Sequence, residues 1–504
     1  MQAKQGGIVV IAGWTRRFAA LCLTLALCAC DDENPPLADA DADGDADADG
    51  DADADGDATT GCSVGQTRCR GEDVWTCTAA PGGSLEWVRG EHCRLAGLHC
   101  LVIEGDAVCA DCTGDTWEGD YTITDAATLQ DLVGYGAVDG DLTISSEASY
   151  SLAGLECLRS VGSLRIGALH LIEGEPDQAF WCSCDDGNAV LADVDGLSGL
   201  ESIDGDLEII CNHALRDIRG LSRVGSIGGS ISVGANDALT DLDGLNGILA
   251  VPGDLALGLR PCSETGPYLG NVALTSLDGL SGIASIGGSL EIYRADSLTT
   301  LDGLEGLASI GSSLTIGRAD GPNDALTSLA GLSGLVSVGD DISIEANASL
   351  ATLDGLSRVG SVDGLSILGN EALTDLDGLS ALETARYVEI SGNDALASVA
   401  GLGGLTSVEV FRIASTVVLT DLIGLEGITS VESYLYIGSN DGLLSLDALS
   451  GLAAVHGVLH IDHNSVLPTC EATDLRDRLT SPAETVCIED NAADACLEDT
   501  SGCP

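Results

Sequence analysis

A short phrase, L-x-G-L with conservative variants, recurs through the chain, and most of its intervals are 23 or 24 residues. A second phrase, aliphatic-x-Ile or close to it, accompanies most copies. Self-similarity at this period predicts a stack of equivalent units around one narrow core, because no single unit can bury its apolar face alone. The first phrase begins at Leu152, Val194, Ile218, Leu242, Leu277, Leu301, Leu329, Leu353, Leu376, Val399, Leu422 and Leu446.

The spacing of aliphatic residues within one repeat predicts how the backbone winds. Ile342 and Ile344 alternate as in a strand, and the apolar positions then recur every third residue, at Leu350, Leu353, Leu356, Val359 and Val362. Neither a helix nor a plain strand has period three, so we predict a mostly β coil of short strands and corners. An Asn at a fixed corner is expected to bond neighbouring backbones at Asn212, Asn236, Asn347, Asn370, Asn393, Asn440 and Asn464.

The two phrases resemble the leucine-rich receptor L-domain, the ligand-binding solenoid of the insulin and epidermal growth factor receptors. They are also similar to repeat arrays in predicted bacterial surface lipoproteins. The resemblance covers roughly 350 residues and implies a right-handed β-solenoid of 23–24-residue rungs over 113–468. It implies a fold and not a ligand, since solenoids carry many functions.

The N-terminus has the pattern of an export signal. Basic residues precede an apolar run from Phe18 to Ala29 that is too short to span a bilayer. The run ends in Leu27-Cys28-Ala29-Cys30, which resembles the lipobox of bacterial lipoproteins. By that resemblance, 1–29 is a signal peptide and Cys30 carries the lipid, at the outer membrane or surface of a Gram-negative cell. A plain signal peptide with ordinary cleavage is the alternative.

Residues 30–60 form the lipid anchor and an Asp/Ala/Gly-rich linker that is predicted to be disordered. Asp45, Asp47 and Asp49 resemble the first half of a calcium loop, but Gly56 stands where an EF-hand has its closing Glu. We therefore expect a spacer and no cofactor, with calcium here as the weaker alternative. A formal net charge of −60 argues against nucleic-acid and anionic-membrane partners.

Sixteen cysteines remain after the signal peptide and Cys30, an even number that suits disulfide bonding in an exported protein. They predict a Cys-rich module at 61–112 and a disulfide-stapled cap at 469–504, with a short helix over 474–479. Bridges are expected among Cys182, Cys184, Cys211 and Cys262, whereas Cys157 has no assigned partner. The remaining candidates are Cys62, Cys69, Cys77, Cys93, Cys100, Cys109, Cys112, Cys470, Cys487, Cys496 and Cys503.

Two regions are candidate binding surfaces. Three repeats are longer by 19, 11 and 4 residues at the same place, between strand and Asn corner, so their loops should project from one edge with Phe180, Trp181 and Tyr268. The second region, which we call the C-terminal patch, stacks the outward residues of four successive strands. Its members are Tyr387, Glu389, Val410, Arg412, Tyr434, Tyr436, Val458 and His460. Neutral insertions and a stabilising cross-strand ladder are the respective alternatives.

The Asp of L-D-G-L also stacks from rung to rung, and we expect it to cap the turn that follows, with cation binding as the alternative. Its copies are Asp195, Asp243, Asp278, Asp302, Asp354 and Asp377. His460 and Asp462 share an outward face, but a surface pair is favoured there over a metal site.

The sequence therefore favours a monomeric, non-catalytic surface receptor or adhesin for a protein or glycan, attached to the membrane only through lipid. No catalytic motif of the common hydrolase, zinc-protease or nucleotide-binding kinds is present. Two alternatives stay open: a structural, calcium-dependent envelope or matrix protein, and an enzyme that acts on polysaccharides.

Overall fold

The computed structural model describes residues 67–70, 73–79, 85–92, 99–103, 106–110, 112–145, 151–168, 170–172, 181–184, 188–260, 269–494 and 496–503. All of them lie in one compact unit, Asp57–Pro504. Among these residues, no helix has both the length and the apolar character needed to cross a bilayer. The predicted lipid site Cys30 and the predicted calcium residues Asp45, Asp47 and Asp49 lie outside the described residues.

The first strands form small antiparallel sheets. Strands β1 (Thr67–Arg70), β2 (Asp73–Ala79) and β3 (Leu85–His92) make one sheet, and β4 (His99–Ile103) pairs with β5 (Asp106–Ala110) in another. Both belong to the predicted Cys-rich module.

Fifteen longer strands, one from almost every repeat, build the main parallel sheet, in which each strand pairs in register with its neighbours from the repeats before and after. They are β7 (Tyr121–Ile123), β9 (Leu142–Ile144), β11 (Leu164–Ile166), β15 (Leu207–Ile210), β17 (Ile231–Gly234), β19 (Leu255–Leu257), β21 (Leu290–Ile292), β23 (Leu314–Ile316), β25 (Ile342–Glu345), β26 (Gly364–Leu368), β27 (Tyr387–Ser391), β28 (Ser407–Ala414), β29 (Ser430–Gly438), β31 (Val458–Asp462) and β32 (Thr485–Glu489). A short strand, β30 (Ala454–Val455), pairs with β29 and brings the sheet to 16 strands.

Short strands form a second parallel face. The first five are β6 (Thr116–Trp117), β8 (Ala137–Val138), β10 (Ser160–Val161), β14 (Ser202–Ile203) and β16 (Ser226–Ile227). The next four are β18 (Ala250–Val251), β20 (Ser285–Ile286), β22 (Ser309–Ile310) and β24 (Ser337–Val338). Because consecutive repeats pair on both faces, the chain is a mostly β, solenoid-like stack of rungs.

The third side of many rungs is a single turn of 3-10 helix that starts at the L-x-G-L phrase. These turns are Asp195–Leu197, Arg219–Leu221, Asp278–Leu280, Ala330–Leu332, Asp354–Leu356, Asp377–Leu379, Ala400–Leu402 and Asp447–Gly451. The phrase needs glycine because adjacent rungs approach closely here: a Cβ at Gly355 would lie 1.7 Å from the Leu329 carbonyl oxygen. Any larger residue would push the rungs apart.

Two α-helices and one hairpin complete the described elements. Helix α1 (Ala126–Asp131) is capped by Asp125, whose carboxylate accepts from two backbone amides. Helix α2 (Thr469–Arg478) begins five residues before the predicted start at 474, directly after Pro468, which cannot stand further inside a helix because its ring replaces the backbone N–H. Strands β12 (His170–Ile172) and β13 (Trp181–Ser183) form an antiparallel hairpin within the first long insertion.

One contiguous apolar core runs from Ile123 to Ile488. The period-three positions Leu350, Leu353, Leu356, Val359 and Val362 are all buried, as the winding argument requires. Burial of each such side chain contributes about 1.5–3 kcal/mol. The core is therefore thin but continuous, and large rings enter it rarely, as at Tyr293 and Phe411.

A ladder of buried asparagines follows one corner of the stack. Asn347 Nδ2 donates to the Ile316 carbonyl oxygen of the rung before it (3.0 Å), and its backbone N–H donates to Asn370 Oδ1 of the rung after it (3.1 Å). Four members had not been predicted because insertions or the C-terminal cap separate them from the expected spacing: Asn188, Asn271, Asn323 and Asn491. The three insertions thus do fall between strand and corner.

Four disulfides join described cysteines. Two of them staple the C-terminal cap, Cys470–Cys496 and Cys487–Cys503. The Cys184–Cys211 bridge ties the first insertion to the corner of the next rung.

The fourth disulfide resolves the unassigned partner of Cys157, which is Cys112. Cys112 therefore links to the repeats and not to the other half of its C-x-x-C motif, Cys109. Cys77 is also disulfide-bonded. The predicted bridging residues Cys62, Cys93 and Cys262 lie outside the described residues.

At two copies, the turn-capping role predicted for the L-D-G-L aspartate is taken by a different acceptor. At Asp354, the backbone N–H that starts the 3-10 turn donates to Thr352 Oγ1, two residues earlier, at 3.2 Å. In the same way, the backbone N–H of Asp377 donates to Asp375 Oδ1 at 3.1 Å. The aspartate of the phrase instead occupies the first turn itself, where its side chain is exposed at most copies.

Candidate functional site

The C-terminal patch is built by strict register between β27, β28, β29 and β31. Glu389 pairs with Arg412, Arg412 with Tyr436, and Tyr436 with His460. The second row runs in parallel through Tyr387, Val410, Tyr434 and Val458. These side chains point away from the core because their neighbours Val388, Phe411, Leu435 and Leu459 are buried.

Aromatic contacts organise the centre of the patch. The rings of Tyr434 and Tyr436 stack with centroids 6.1 Å apart and planes 6° from parallel. His460 meets Tyr436 edge to face at 5.0 Å, and its Nδ1 lies 3.4 Å from the Tyr434 hydroxyl. Arg412 covers the ring of Tyr436 with its guanidinium carbon 5.1 Å from the centroid, and its Nη1 lies 3.3 Å from Glu389 Oε1.

Beneath His460 lies the carboxylate of Asp462, which is nine-tenths buried. Its Oδ2 is 3.0 Å from His463 Nδ1 and 3.2 Å from His460 Nε2, but the alignment with His460 falls short of a hydrogen bond. Burial raises the pKa of Asp462, and contacts with His460, His463 and Tyr436 outweigh it, so the net pKa is lowered. The carboxylate is therefore ionised under a partly buried aromatic surface.

The Asp462 carboxylate also affects the pKa of Tyr436. Burial raises its pKa to about 12, and the negative charge of Asp462 adds to that rise. Gly438 leaves room for both groups, because a Cβ there would lie 2.3 Å from the Tyr436 hydroxyl and 2.4 Å from Asp462 Oδ1. Tyr436 is thus a neutral hydrogen-bonding group at any physiological pH, held in one orientation.

The patch continues to its N-terminal edge through Arg386. Its guanidinium lies 5.0 Å from the Tyr387 ring centroid and donates to Glu409 Oε2 at 2.7 Å and to Asp363 Oδ1 at 3.3 Å. Tyr387 is 39% exposed, more than any other aromatic residue of the patch. Arg386 and Glu409 were not among the predicted residues, since both lie at the corner, before the strand pattern becomes regular.

The loop-edge candidates are only partly described. Trp181 lies at the start of β13 in the first insertion. Phe180 and Tyr268 lie outside the described residues. Binding by these loops stays a prediction, and the Cys184–Cys211 bridge shows that at least the base of the first loop is anchored.

Two clusters of metal-type ligands exist in the described part of the chain, His460–Cys487–Glu489 and Cys470–Asp494–Cys496. Both contain disulfide-bonded cysteines, whose sulfurs cannot act as thiolate ligands. Without those sulfurs each cluster is reduced to one or two donors, fewer than a zinc site uses.

A groove of about 380 Å³ lies beside Tyr387, at the corner where the short-strand face turns into the main sheet. We call it the corner groove; its polar walls are formed by Ser361, Asp363, Glu383, Thr384, Arg386 and Ser407. Sequence patterns did not point to it, because it depends on a corner length and on one small residue, Ala385.

Comparison with family models and with curated proteins finds no match for this chain.

Proposed function

We propose that this protein is a non-catalytic, lipid-anchored binding protein of the cell surface, which recognises a protein or glycan through the C-terminal patch. In this proposal the stack is a right-handed, receptor L-domain-like solenoid of leucine-rich rungs, in keeping with the right-handed preference of parallel β crossovers. The observation that carries the proposal is the in-register row of Arg412, Tyr436 and His460 with Tyr434 beside it.

The composition of the patch favours recognition. The equivalent outward positions of earlier rungs are mostly small or acidic, for example Ser232, Ala256, Thr315 and Ser343. Tyrosine and arginine are the residues that dominate binding hot spots, and rings that are already packed lose little conformational entropy on binding.

The rest of the chain suits presentation at a surface. Lipid at Cys30 would hold the protein, and the acidic spacer before residue 61 would keep the repeats away from the membrane because like charges extend the chain. The protein acts as a monomer without a cofactor in this proposal. The strong negative charge leaves neutral glycans and basic or neutral protein surfaces as partners.

A binding array of surface glycans and envelope proteins tests the patch. The wild type is compared with a Tyr434→Ala/Tyr436→Ala variant and with Ser343→Ala/Ser366→Ala, a matched double change on the same sheet face outside the patch. We expect the tyrosine variant to lose at least about tenfold in affinity for any captured partner, whereas the serine variant binds like the wild type. Equal binding by all three proteins would remove the patch from the proposal.

The anchor has its own test. Expression of the full chain in a Gram-negative host with a labelled fatty acid should label the wild type and not a Cys30→Ser variant. Labelling of both, or of neither, would contradict lipidation at Cys30 while leaving the binding patch untouched.

A further inference from the structure

The corner groove exists because two features coincide in neighbouring rungs. The corners from Ser361 to Leu365 and from Thr384 to Val388 are each one residue shorter than the corner from Ser337 to Ile342 in the rung before them, so the backbone cuts across the edge. At the same place Ala385 takes the buried position that valine occupies in the rungs on either side. The result is a trough along the stacking direction, open on one side.

The groove has an apolar floor and polar walls. Val338, Val362 and Ala385 line its base, and all three are buried. Hydroxyl groups of Ser361, Thr384 and Ser407 follow one another along the short-strand side. Hydroxyls both donate and accept hydrogen bonds, so this side suits a ligand that does the same.

One charged group of the groove, Arg386, is held in place by its neighbours. Arg386 is fixed by Asp363 and Glu409 and by the ring of Tyr387, so its remaining N–H groups are oriented before any ligand arrives. Two carboxylates, Asp363 and Glu383, line the groove against this one guanidinium. An anionic ligand is disfavoured by that balance, and a basic peptide would have to displace Arg386 from its acidic partners.

We propose that the corner groove is a binding site for a neutral saccharide, separate from the Tyr434 and Tyr436 centre of the C-terminal patch. A pyranose ring has an apolar face of C–H groups and a rim of hydroxyls, which matches the apolar floor and the polar walls. The volume of about 380 Å³ falls in the range of small-ligand sites, about 300–1,000 Å³. The open side lets a short chain extend toward the exposed ring of Tyr387.

Titration calorimetry with neutral hexasaccharides of glucose, mannose and galactose tests the site, using the mature protein with its disulfides intact. Thr384 lies in the middle of the groove and is exposed, so Thr384→Trp fills the groove without entering the core. Ser226→Trp is the matched control, because Ser226 is exposed at the equivalent short-strand position far along the stack. Circular dichroism checks that both variants fold.

We expect at least one neutral hexasaccharide to bind saturably. Thr384→Trp should weaken it by at least about tenfold, with Ser226→Trp within about twofold of the wild type. The Tyr434→Ala/Tyr436→Ala variant should bind the saccharide normally, which separates this site from the centre of the patch. The proposal is overturned if no neutral saccharide binds, if Thr384→Trp binds as well as the wild type, or if an oligo-arginine peptide is the only probe that binds.

Discussion

Replacement of Asn370 by alanine tests the asparagine ladder as the device that joins successive rungs. The Asn370 amide donates to the Ile344 carbonyl oxygen (2.9 Å), and its Oδ1 accepts from the backbone N–H and the side-chain amide of Asn347 (both 3.1 Å). Every one of these groups is buried. Alanine would leave the Asn347 N–H without this acceptor, at a cost of about 1–3 kcal/mol, and would remove further bonds worth about 1 kcal/mol each.

The free energy of unfolding should therefore fall by about 3–4 kcal/mol in Asn370→Ala, measured by guanidinium denaturation followed by circular dichroism. Amide hydrogen exchange should speed up first at Asn347. The exposed neighbour Glu371 provides the control, since Glu371→Ala should stay within about 0.5 kcal/mol. A loss below about 1 kcal/mol in Asn370→Ala, or an equal loss in Glu371→Ala, would refute a ladder role.

Corner geometry, covalent links and charge give three further predictions. Gly369 has φ +65°, and a Cβ added to it would meet no atom closer than 3.8 Å, so Gly369→Ala should cost about 1–2 kcal/mol from conformation alone, as denaturation midpoints will show. The Cys184–Cys211 disulfide joins residues that are 27 apart in the sequence. Replacing both cysteines by serine should lower the free energy of unfolding by about 3–4 kcal/mol in the same assay. The pKa of His463 is raised by Asp462, and that of Asp462 is lowered, so their pairing should stabilise the C-terminal rungs between about pH 4.5 and 6.5. The stabilisation by this pair is lost as the pH rises through the pKa of His463 or falls through the pKa of Asp462. The melting-temperature difference between wild type and His463→Gln should be largest within this window and should shrink as the pH rises through the raised pKa of His463. A constant difference would contradict this, and exposure limits the stabilisation to about 1 kcal/mol or less.

The repeat pattern alone was enough for the stacking and for the neighbours within the patch. Side chains alternate along a strand and consecutive rungs pair in register, so equivalent residues of neighbouring rungs are expected side by side. Arg412, Tyr436 and His460 do lie side by side. The same logic located the insertions, because a fixed corner such as Asn347 marks where each rung should turn.

Contacts at the places where the chain departs from its repeat period could not be predicted from the sequence. Asn491 joins the ladder from the cap, and Cys112 reaches Cys157 across 45 residues. Such pairings depend on which segments meet in space, and cysteine spacing does not specify connectivity. The role of Thr352 in capping its turn was missed for a similar reason: the L-D-G-L aspartate is the more regular residue, but the side chain two places earlier is the one within reach.

By itself, the sequence determined the winding of the backbone, the buried aliphatic positions and the order in which outward side chains stack, because all three follow from a short local period. Only the tertiary structure decided the corner groove, the placement of Arg386 between Asp363 and Glu409, and the buried charge of Asp462 under Tyr436. Those features arise where rungs of slightly different length and residue volume are packed against each other. A difference in rung length or side-chain volume changes the surface only when the rungs pack against one shared core.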